Sequence, residues 1–276
     1  MSGNLSHSMR ENYDTHGVEK YYGLVSASYR NPHFPGVQKC LHAWLDKWWL
    51  RESGQRGSKD AVSFWDLAAG SGEVTEAILN WYSVRRSRSE NDATPAAVHA
   101  NALFLPVRKP SRRSDVTLDP STPMPLILAS DPFTAPAYTA RTSRQCARLS
   151  FADVAEGNVP SAVEENPSEV ALGDTAADHD QNLPSGPEVI DMVVSSFALH
   201  LCTPSELFAL LYELSTKSNW LVVIAPHKKP EIKPGWGWVR WNVVKWEVAD
   251  SDHETEAEVE IVLDRVRLRV WKSLNT

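Results

Sequence analysis

The chain has little cysteine and no long apolar run, and each shortage argues against a class of protein. Its 276 residues contain three cysteines, Cys40, Cys146 and Cys202, too few and too far apart to predict a disulfide framework or a metal cluster. This usage favours a reducing, intracellular compartment. Strongly apolar runs such as residues 220–225 are far too short to span a bilayer, and the first ten residues lack the apolar stretch of a secretion signal. We therefore expect a cytoplasmic protein, with a nuclear location as the alternative, no membrane partner and no bound metal.

Positively charged residues are outnumbered by negatively charged ones. The chain has 28 Lys and Arg against 35 Asp and Glu, a net charge of −7, which disfavours nucleic acid as a partner. Two segments depart from the average: residues 84–123 are rich in arginine, serine and proline, and residues 156–188 contain many acids but no lysine or arginine. Both compositions predict disordered insertions. With a flexible N-terminus over residues 1–16, they leave one folded domain over residues 17–276.

What the sequence does contain is a glycine-rich turn between a strand and a helix. Residues 66–73 read Asp-Leu-Ala-Ala-Gly-Ser-Gly-Glu, after an apolar run and before apolar residues at helical spacing. A dinucleotide fingerprint would need glycine at three positions that are here Ala68, Gly70 and Glu73, so it fails at two of them. The acid at position 73 would also repel a phosphate. The turn therefore indicates a ligand that carries no phosphate.

The same residues carry a family resemblance. Asp66 at the end of the strand, followed by Ala-x-Gly-x-Gly, resembles motif I of the class I S-adenosylmethionine-dependent methyltransferases. The chain is also similar to uncharacterised fungal methyltransferase-like proteins. The resemblance implies S-adenosyl-L-methionine as cofactor. It places the methionine part of that cofactor against Ala68, Gly70 and Gly72, with Asp66 near its ammonium group.

The resemblance extends to residues that follow the later strands. Asp131, after the second predicted strand, takes the place of the acid that holds the ribose hydroxyls. Asp153, after a third predicted strand at residues 147–151, takes the place of the acid that contacts the adenine amino group. Ser195 and Ser196 end the fourth predicted strand, where the family presents the methyl group. An ordinary turn or capping role remains the alternative for Asp66 and Asp153.

The order of predicted elements agrees with the resemblance. Strands and helices alternate from residue 62 to residue 225, which predicts a parallel sheet joined by right-handed crossovers. Residues 259–263 and 266–271 alternate with period two and predict a final hairpin. We therefore predict a Rossmann-like class I methyltransferase fold. It has a seven-stranded, mostly parallel sheet with an antiparallel C-terminal strand and helices on both faces.

Two histidines are candidates for removing a proton from the methyl acceptor. His200 lies in the Ser-x-x-Ala-Leu-His pattern that begins at Ser195, and His227 follows the fifth predicted strand directly. A packed structural histidine is the alternative for His200, and a residue that lines the site without acting as a base is the alternative for His227. Neither the Asn/Asp-Pro-Pro-Tyr sequence of amino-group transfer to bases nor a Pro-Cys nucleophile is present. The tryptophan-rich residues 230–241 predict either an acceptor pocket or a cover for the sheet edge.

These observations predict a methyltransferase whose acceptor is a small molecule or a protein side chain. A non-catalytic binding or scaffold protein with the same fold is the alternative from another class. An NAD-dependent oxidoreductase is disfavoured by Glu73 and by the missing glycines. The sequence leaves the choice between monomer and dimer open.

Overall fold

An eight-stranded mixed sheet forms the centre of the protein. The computed structural model describes residues 30–55, 60–92, 116–161, 189–250 and 254–276. The sheet has the order β2-β1-β3-β4-β8-β5-β6, and β7 pairs with β8 beside β5. The strands are β1 (Ser63–Leu67), β2 (Leu126–Ser130), β3 (Ile190–Ser196), β4 (Ser218–Ala225), β5 (Trp238–Asn242), β6 (Glu247–Val248), β7 (Glu260–Leu263) and β8 (Val266–Ser273).

The first four strands are parallel, and the order reverses at β1. Strand β1 pairs with β2 on one side and with β3 on the other, and β3 pairs with β4. Ligands of open α/β sheets bind at such a point, outside the carboxyl ends of the strands. The other half is antiparallel, because β8 pairs with β4 and also with β5 and β7. This arrangement is the Rossmann-like fold of the class I methyltransferases, as predicted.

Helices cover both faces of the sheet. They are α1 (Phe34–Glu52), α2 (Glu73–Asp92), α3 (Ala135–Thr142), α4 (Phe151–Ala155), α5 (Pro204–Lys217) and α6 (Glu256–Val259), with short 3₁₀ turns at Ser53–Gln55 and Leu199–Leu201. One apolar core packs α1 and α2 against one face, and a second packs α4 and α5 against the other. Helix α5 shows why it starts where it does. Thr203 and Glu206 form a capping box, and Leu207, Leu210, Leu211 and Leu214 give it one buried face.

The structure differs from the prediction at the third strand and at the tryptophan-rich segment. Residues 147–151 form only an isolated bridge between Ser130 and Ala147, because a capping box between Ser150 and Asp153 begins α4 there. Within residues 230–241, Trp238 starts β5 and donates from its indole to the carbonyl of Leu211 at 2.7 Å. This tryptophan is buried in the core between β5 and α5. The count of eight strands instead of seven follows mainly from β5 and β6.

The predicted insertions and the N-terminus fall largely outside the described residues. Helix α2 continues to Asp92, nine residues into the segment 84–123. Residues 1–29, 93–115 and 162–188 are not described, so the domain boundaries and the disorder of both insertions stay predictions. None of the described helices has the length and apolar character needed to cross a membrane.

Candidate functional site

A cavity of about 280 Å³ lies at the carboxyl ends of β1, β2 and β3. This volume is close to the lower limit of small-molecule pockets, about 300–1,000 Å³. Its walls come from five places: Asn31 before α1, the turn after β1 with the start of α2, the residues after β2, the start of α4, and the segment from the end of β3 into α5. Apolar side chains contribute much of the surface, among them Phe133, Phe151, Phe197 and Leu201. The cavity therefore occupies the position that the topology favours for a ligand.

The turn after β1 presents bare backbone to this cavity. Ala68 and Gly70 line it, with φ angles of 57° and 58°. Phe197, after β3, lines the opposite side and also has a positive φ of 59°. Positive φ is costly for residues with a side chain and concentrates at functional sites. Two such non-glycine residues facing one cavity mark it as a built site.

Asp131 joins the two loops that flank the cavity. Its Oδ2 accepts from the backbone N–H of Gly70 at 3.1 Å. Its Oδ1 accepts from the N–H groups of Phe133 and Thr134 at 2.9 and 2.8 Å. The Thr134 hydroxyl donates to the Gly70 carbonyl at 2.7 Å and closes the ring of contacts. The carboxylate is thus fixed at the cavity wall and keeps one lone pair, on Oδ2, for a ligand.

Glu73 is a second acid in the cavity wall, at the first position of α2. Its Oε1 accepts from the Asn31 N–H, from Ser71 Oγ and from Arg141 Nη1, at 3.1, 2.8 and 3.0 Å. Arg141 is also bonded to Glu76, so one guanidinium serves two acids of this helix. Arg141 partly offsets the charge of Glu73.

Asp66 lies below the turn, outside the set of described residues that line the cavity. It is 1% exposed, and its Oδ2 accepts from Thr75 Oγ1 and from the Thr75 N–H at 2.8 and 3.1 Å. Burial raises the pKa of this carboxyl to about 8, against the lowering effect of the Thr75 bonds. The side chain holds the first turn of α2 against β1. The structure therefore does not place Asp66 in the cavity wall, where it would have to lie to contact a ligand's ammonium group.

Gly72 also lies outside the described cavity lining, and its lack of a side chain allows close helix packing. Its φ is +90°, and an added Cβ would lie 2.6 Å from Thr142 Cγ2 and 3.1 Å from Tyr138 Cδ2. The missing side chain lets the turn approach α3, which ends at Thr142. The spacing of motif I at this position is thus explained by helix packing.

Asp153 faces away from the cavity. Its Oδ2 accepts from the N–H and the hydroxyl of Ser150, each at 2.7 Å, and these bonds lower its pKa. The neighbouring residues Ser150, Phe151 and Ala152 line the cavity instead. The capping alternative for Asp153 therefore describes its contacts in the structure.

The two serines that end β3 point to opposite faces, and only Ser196 lines the cavity. The hydroxyl oxygens of Ser195 and Ser196 are both buried without a hydrogen-bond partner in the described structure. His200 and His227 lie next to each other outside the cavity wall, with ring centroids 5.9 Å apart. Burial and the neighbouring His227 lower the pKa of His200, which favours a neutral imidazole near pH 7.

Four of the predicted residues thus meet at the cavity: Ala68, Gly70, Asp131 and Ser196. Several lining residues had no place in the prediction, including Asn31, Phe133, Cys202 and Glu206. Glu206 could have been found, because it occupies the third position after Thr203 in a capping box at the carboxyl edge of the sheet. The approach of Asn31 depends on a long-range contact with Glu73, for which the sequence has no local signal.

Comparisons with known proteins show which family the chain belongs to. No family model matches the chain. An uncharacterised protein of Schizosaccharomyces pombe is 36% identical over 273 residues, covering 99% of this chain and 94% of that protein. The chain belongs to the same family as this fission yeast protein.

Two solved structures that the chain matches at low identity are methyltransferases. Magnesium protoporphyrin IX methyltransferase from Synechocystis PCC 6803, with bound S-adenosylmethionine, has a TM-score of 0.43 and 9% identity. That match covers 98% of this chain and 99% of the other. The DszA carbon methyltransferase has a TM-score of 0.39 and 13% identity, covering 77% of this chain and 41% of the other.

Proposed function

We propose that the protein is an S-adenosylmethionine-dependent methyltransferase. The observation that carries the proposal is the charge of the cavity. Its described lining includes the acids Glu73, Asp131 and Glu206 but no lysine or arginine. Such a wall suits a ligand with a sulfonium and an ammonium group and repels a pyrophosphate. When bound, the cofactor supplies an electrophilic methyl group on a positively charged sulfur.

The chain's own residues would bind this cofactor in parts. The backbone at Ala68 and Gly70 allows close approach of the methionine portion, because Gly70 has no side chain. The fixed carboxylate of Asp131 can accept from one ribose hydroxyl, through the lone pair that remains on Oδ2. Phe151 and Leu201 provide apolar surface for a planar ring and exclude water from the reacting atoms.

Transfer of a methyl group needs an aligned nucleophile and, for a protonated acceptor, a group that takes the proton. Ser196 lines the cavity at the end of β3, with its hydroxyl oxygen free of other partners in the described structure. The pair His200–His227 lies beyond this strand end. We assign the pair the role of proton acceptor, since His200 directly precedes Leu201, which lines the cavity, and its lowered pKa keeps the imidazole neutral near pH 7.

Calorimetry tests the cofactor assignment directly. We expect the full-length protein to bind S-adenosylmethionine and its demethylated product, S-adenosylhomocysteine, at one site and not to bind NAD. Binding of NAD alone would favour the oxidoreductase instead. The absence of heat with all three compounds would overturn the proposal.

Replacing Asp131 with asparagine should weaken this binding by about tenfold to a hundredfold. Hydrogen bonds to a charged group contribute about 1.5–3 kcal/mol. The amide keeps the shape but loses the charge and one acceptor, because its NH2 group replaces Oδ2 opposite the Gly70 N–H. Asp119→Asn is the matched control, because Asp119 is an exposed acid bonded to Ser121. Melting temperatures of both variants check that the fold survives. Equal affinities for the two variants would remove Asp131 from the binding site.

The acceptor is proposed to be a small molecule or a protein side chain, met in the cytoplasm. Incubation of a cell extract with labelled S-adenosylmethionine, with the wild type and Asp131→Asn in parallel, should label one product only with the wild type. Tight cofactor binding with no labelled product in any extract would instead support the non-catalytic scaffold.

A further inference from the structure

Several buried polar atoms without hydrogen-bond partners lie in one part of the described structure. They include Ser195 Oγ, His200 Nδ1, Arg240 Nε, and both Nε and Nη2 of Arg269. These residues belong to β3, to the turn that follows it, and to strands β5 and β8. Unsatisfied buried polar groups are rare in folded proteins, and each needs an explanation. Their presence together points to a polar ligand of this region.

Arg269 shares a row of the sheet with Ser195. Ser195 pairs with Val223 of β4, and Val223 pairs with Arg269 of β8. Side chains of paired residues leave the same face of a sheet, and neighbouring strands are about 4.8 Å apart. Ser195 and Arg269 are therefore two strands, or about 10 Å, apart on the face covered by α4 and α5. Their exposed fractions are 1% and 4%.

One edge of the Arg269 guanidinium donates hydrogen bonds, and the other edge has no hydrogen-bond partner in the described structure. Its Nη1 donates to the carbonyls of Lys228 and Pro230 at 2.6 and 3.0 Å, in the segment that follows β4. Nε and Nη2, which form the other edge, have no partner in the described structure. This edge presents two parallel N–H groups, the geometry that binds a carboxylate or phosphate in bidentate fashion.

The surrounding charges do not supply an acid for Arg269. Arg240 and Arg269 lie over the same ring of Trp271, at 4.5 and 5.4 Å from its centroid. The nearby Glu260 is already shared, with Oε1 facing Arg240 and Oε2 bonded to Arg267. Burial and the neighbouring Arg240 lower the pKa of Arg269 to about 10, so the group stays charged at pH 7. A buried cation with no acid of its own is costly, and an anionic ligand would offset that cost.

We propose that the Nε–Nη2 edge of Arg269 binds an oxyanion, a carboxylate or a phosphate, beneath residues 228–230. Because Arg269 is buried against the carbonyls of Lys228 and Pro230, this segment must move for the anion to enter. The segment begins next to His227, on the side of the sheet where His200 lies. The anion is a group of the methyl acceptor. That last assignment rests on the proposed function, whereas anion binding itself does not.

Thermal unfolding of the full-length protein with acetate, succinate, phosphate or sulfate tests the site. Sodium chloride at equal ionic strength serves as the reference. We expect one of these anions to raise the melting temperature with saturation in the millimolar range. The carboxylate and phosphate arms then identify which oxyanion fits. In Arg269→Lys, which keeps the charge but lacks the fork, we expect affinity to fall by about tenfold or more.

Arg144→Lys is the matched control, because Arg144 contacts Met124 near the exposed end of α3. Its anion response should equal that of the wild type. A response that does not saturate, or that Arg269→Lys retains in full, reflects general salt stabilisation and overturns the site.

If Arg269→Lys does not fold, calorimetry of the wild type decides. Heat that saturates near one anion per chain supports the site, and no heat rejects it. If the wild type binds S-adenosylmethionine but none of the anions, this inference is rejected and the proposed function stands.

Discussion

Replacing Gly72 with alanine is expected to lower the free energy of unfolding by about 3 kcal/mol and to abolish cofactor binding. Two costs add at this position. A left-handed φ of +90° is unfavourable for any residue with a Cβ, typically by about 1–3 kcal/mol. The new Cβ would also lie 2.6 Å from Thr142 Cγ2, so the turn or α3 must shift, at about 1–3 kcal/mol. The shift would displace Gly70, which shares the turn and lines the cavity.

Urea unfolding and calorimetry with S-adenosylmethionine would measure the two effects. Gly54→Ala is the control, since no atom lies within 4 Å of an added Cβ there and its stability should stay within about 0.5 kcal/mol. The double variant Gly72→Ala, Thr142→Ser removes the contacting methyl group and should recover part of the stability. A Gly72→Ala protein as stable as Gly54→Ala would show that α3 does not pack on this turn.

The architecture was predictable because it depends on patterns that are local in sequence. Apolar runs and helical spacing located β1, β3, β4 and α5 within a few residues, and the order of the elements indicated the parallel crossovers. The positions Ala68, Gly70, Asp131 and Ser196 reached the cavity for the same reason. Each lies at or within a few residues of the end of a parallel strand, and parallel strands end at one edge of the sheet.

The errors arose where side-chain hydrogen bonds compete with a pattern. A strand through residues 147–151 fits the apolar spacing, but Ser150 and Asp153 satisfy each other's backbone N–H groups and start α4. The same bonds turn Asp153 away from the cavity. The approach of Asn31 to Glu73 joins residues 42 positions apart, and a linear pattern carries no information on such a pair.

Asp66 was predicted to contact the ligand's ammonium group, but its buried position predicts an effect on the stability of the fold instead. Burial raises the pKa of its carboxyl to about 8 in the folded protein, against 3.8 for the ordinary group. The folded protein therefore holds a proton that the unfolded chain releases at a much lower pH. The stability that this proton contributes is fully present below about pH 4 and is lost as the pH rises towards 8. The neutral acid still accepts both bonds from Thr75.

Asp66→Asn should consequently match the wild type at pH 5 within about 1 kcal/mol and exceed it at pH 8 by roughly 3 kcal/mol. The amide oxygen can accept the same two bonds from Thr75, and the amide has no proton to lose. Urea unfolding at the two pH values measures the difference. The control is Asp119→Asn, since the Ser121 bonds lower the pKa of Asp119 and keep its titration below this range.

Cofactor affinity of the same variant separates the two roles considered for Asp66. If the carboxylate only anchors α2 to β1, Asp66→Asn should bind S-adenosylmethionine within about twofold of the wild type. A carboxylate in contact with the ligand's ammonium would instead lose a charged hydrogen bond, and affinity would fall by about tenfold or more. The buried position of Asp66 and its two bonds to Thr75 favour the first result. The acids left to face the cofactor are then Asp131, Glu73 and Glu206, which all line the cavity.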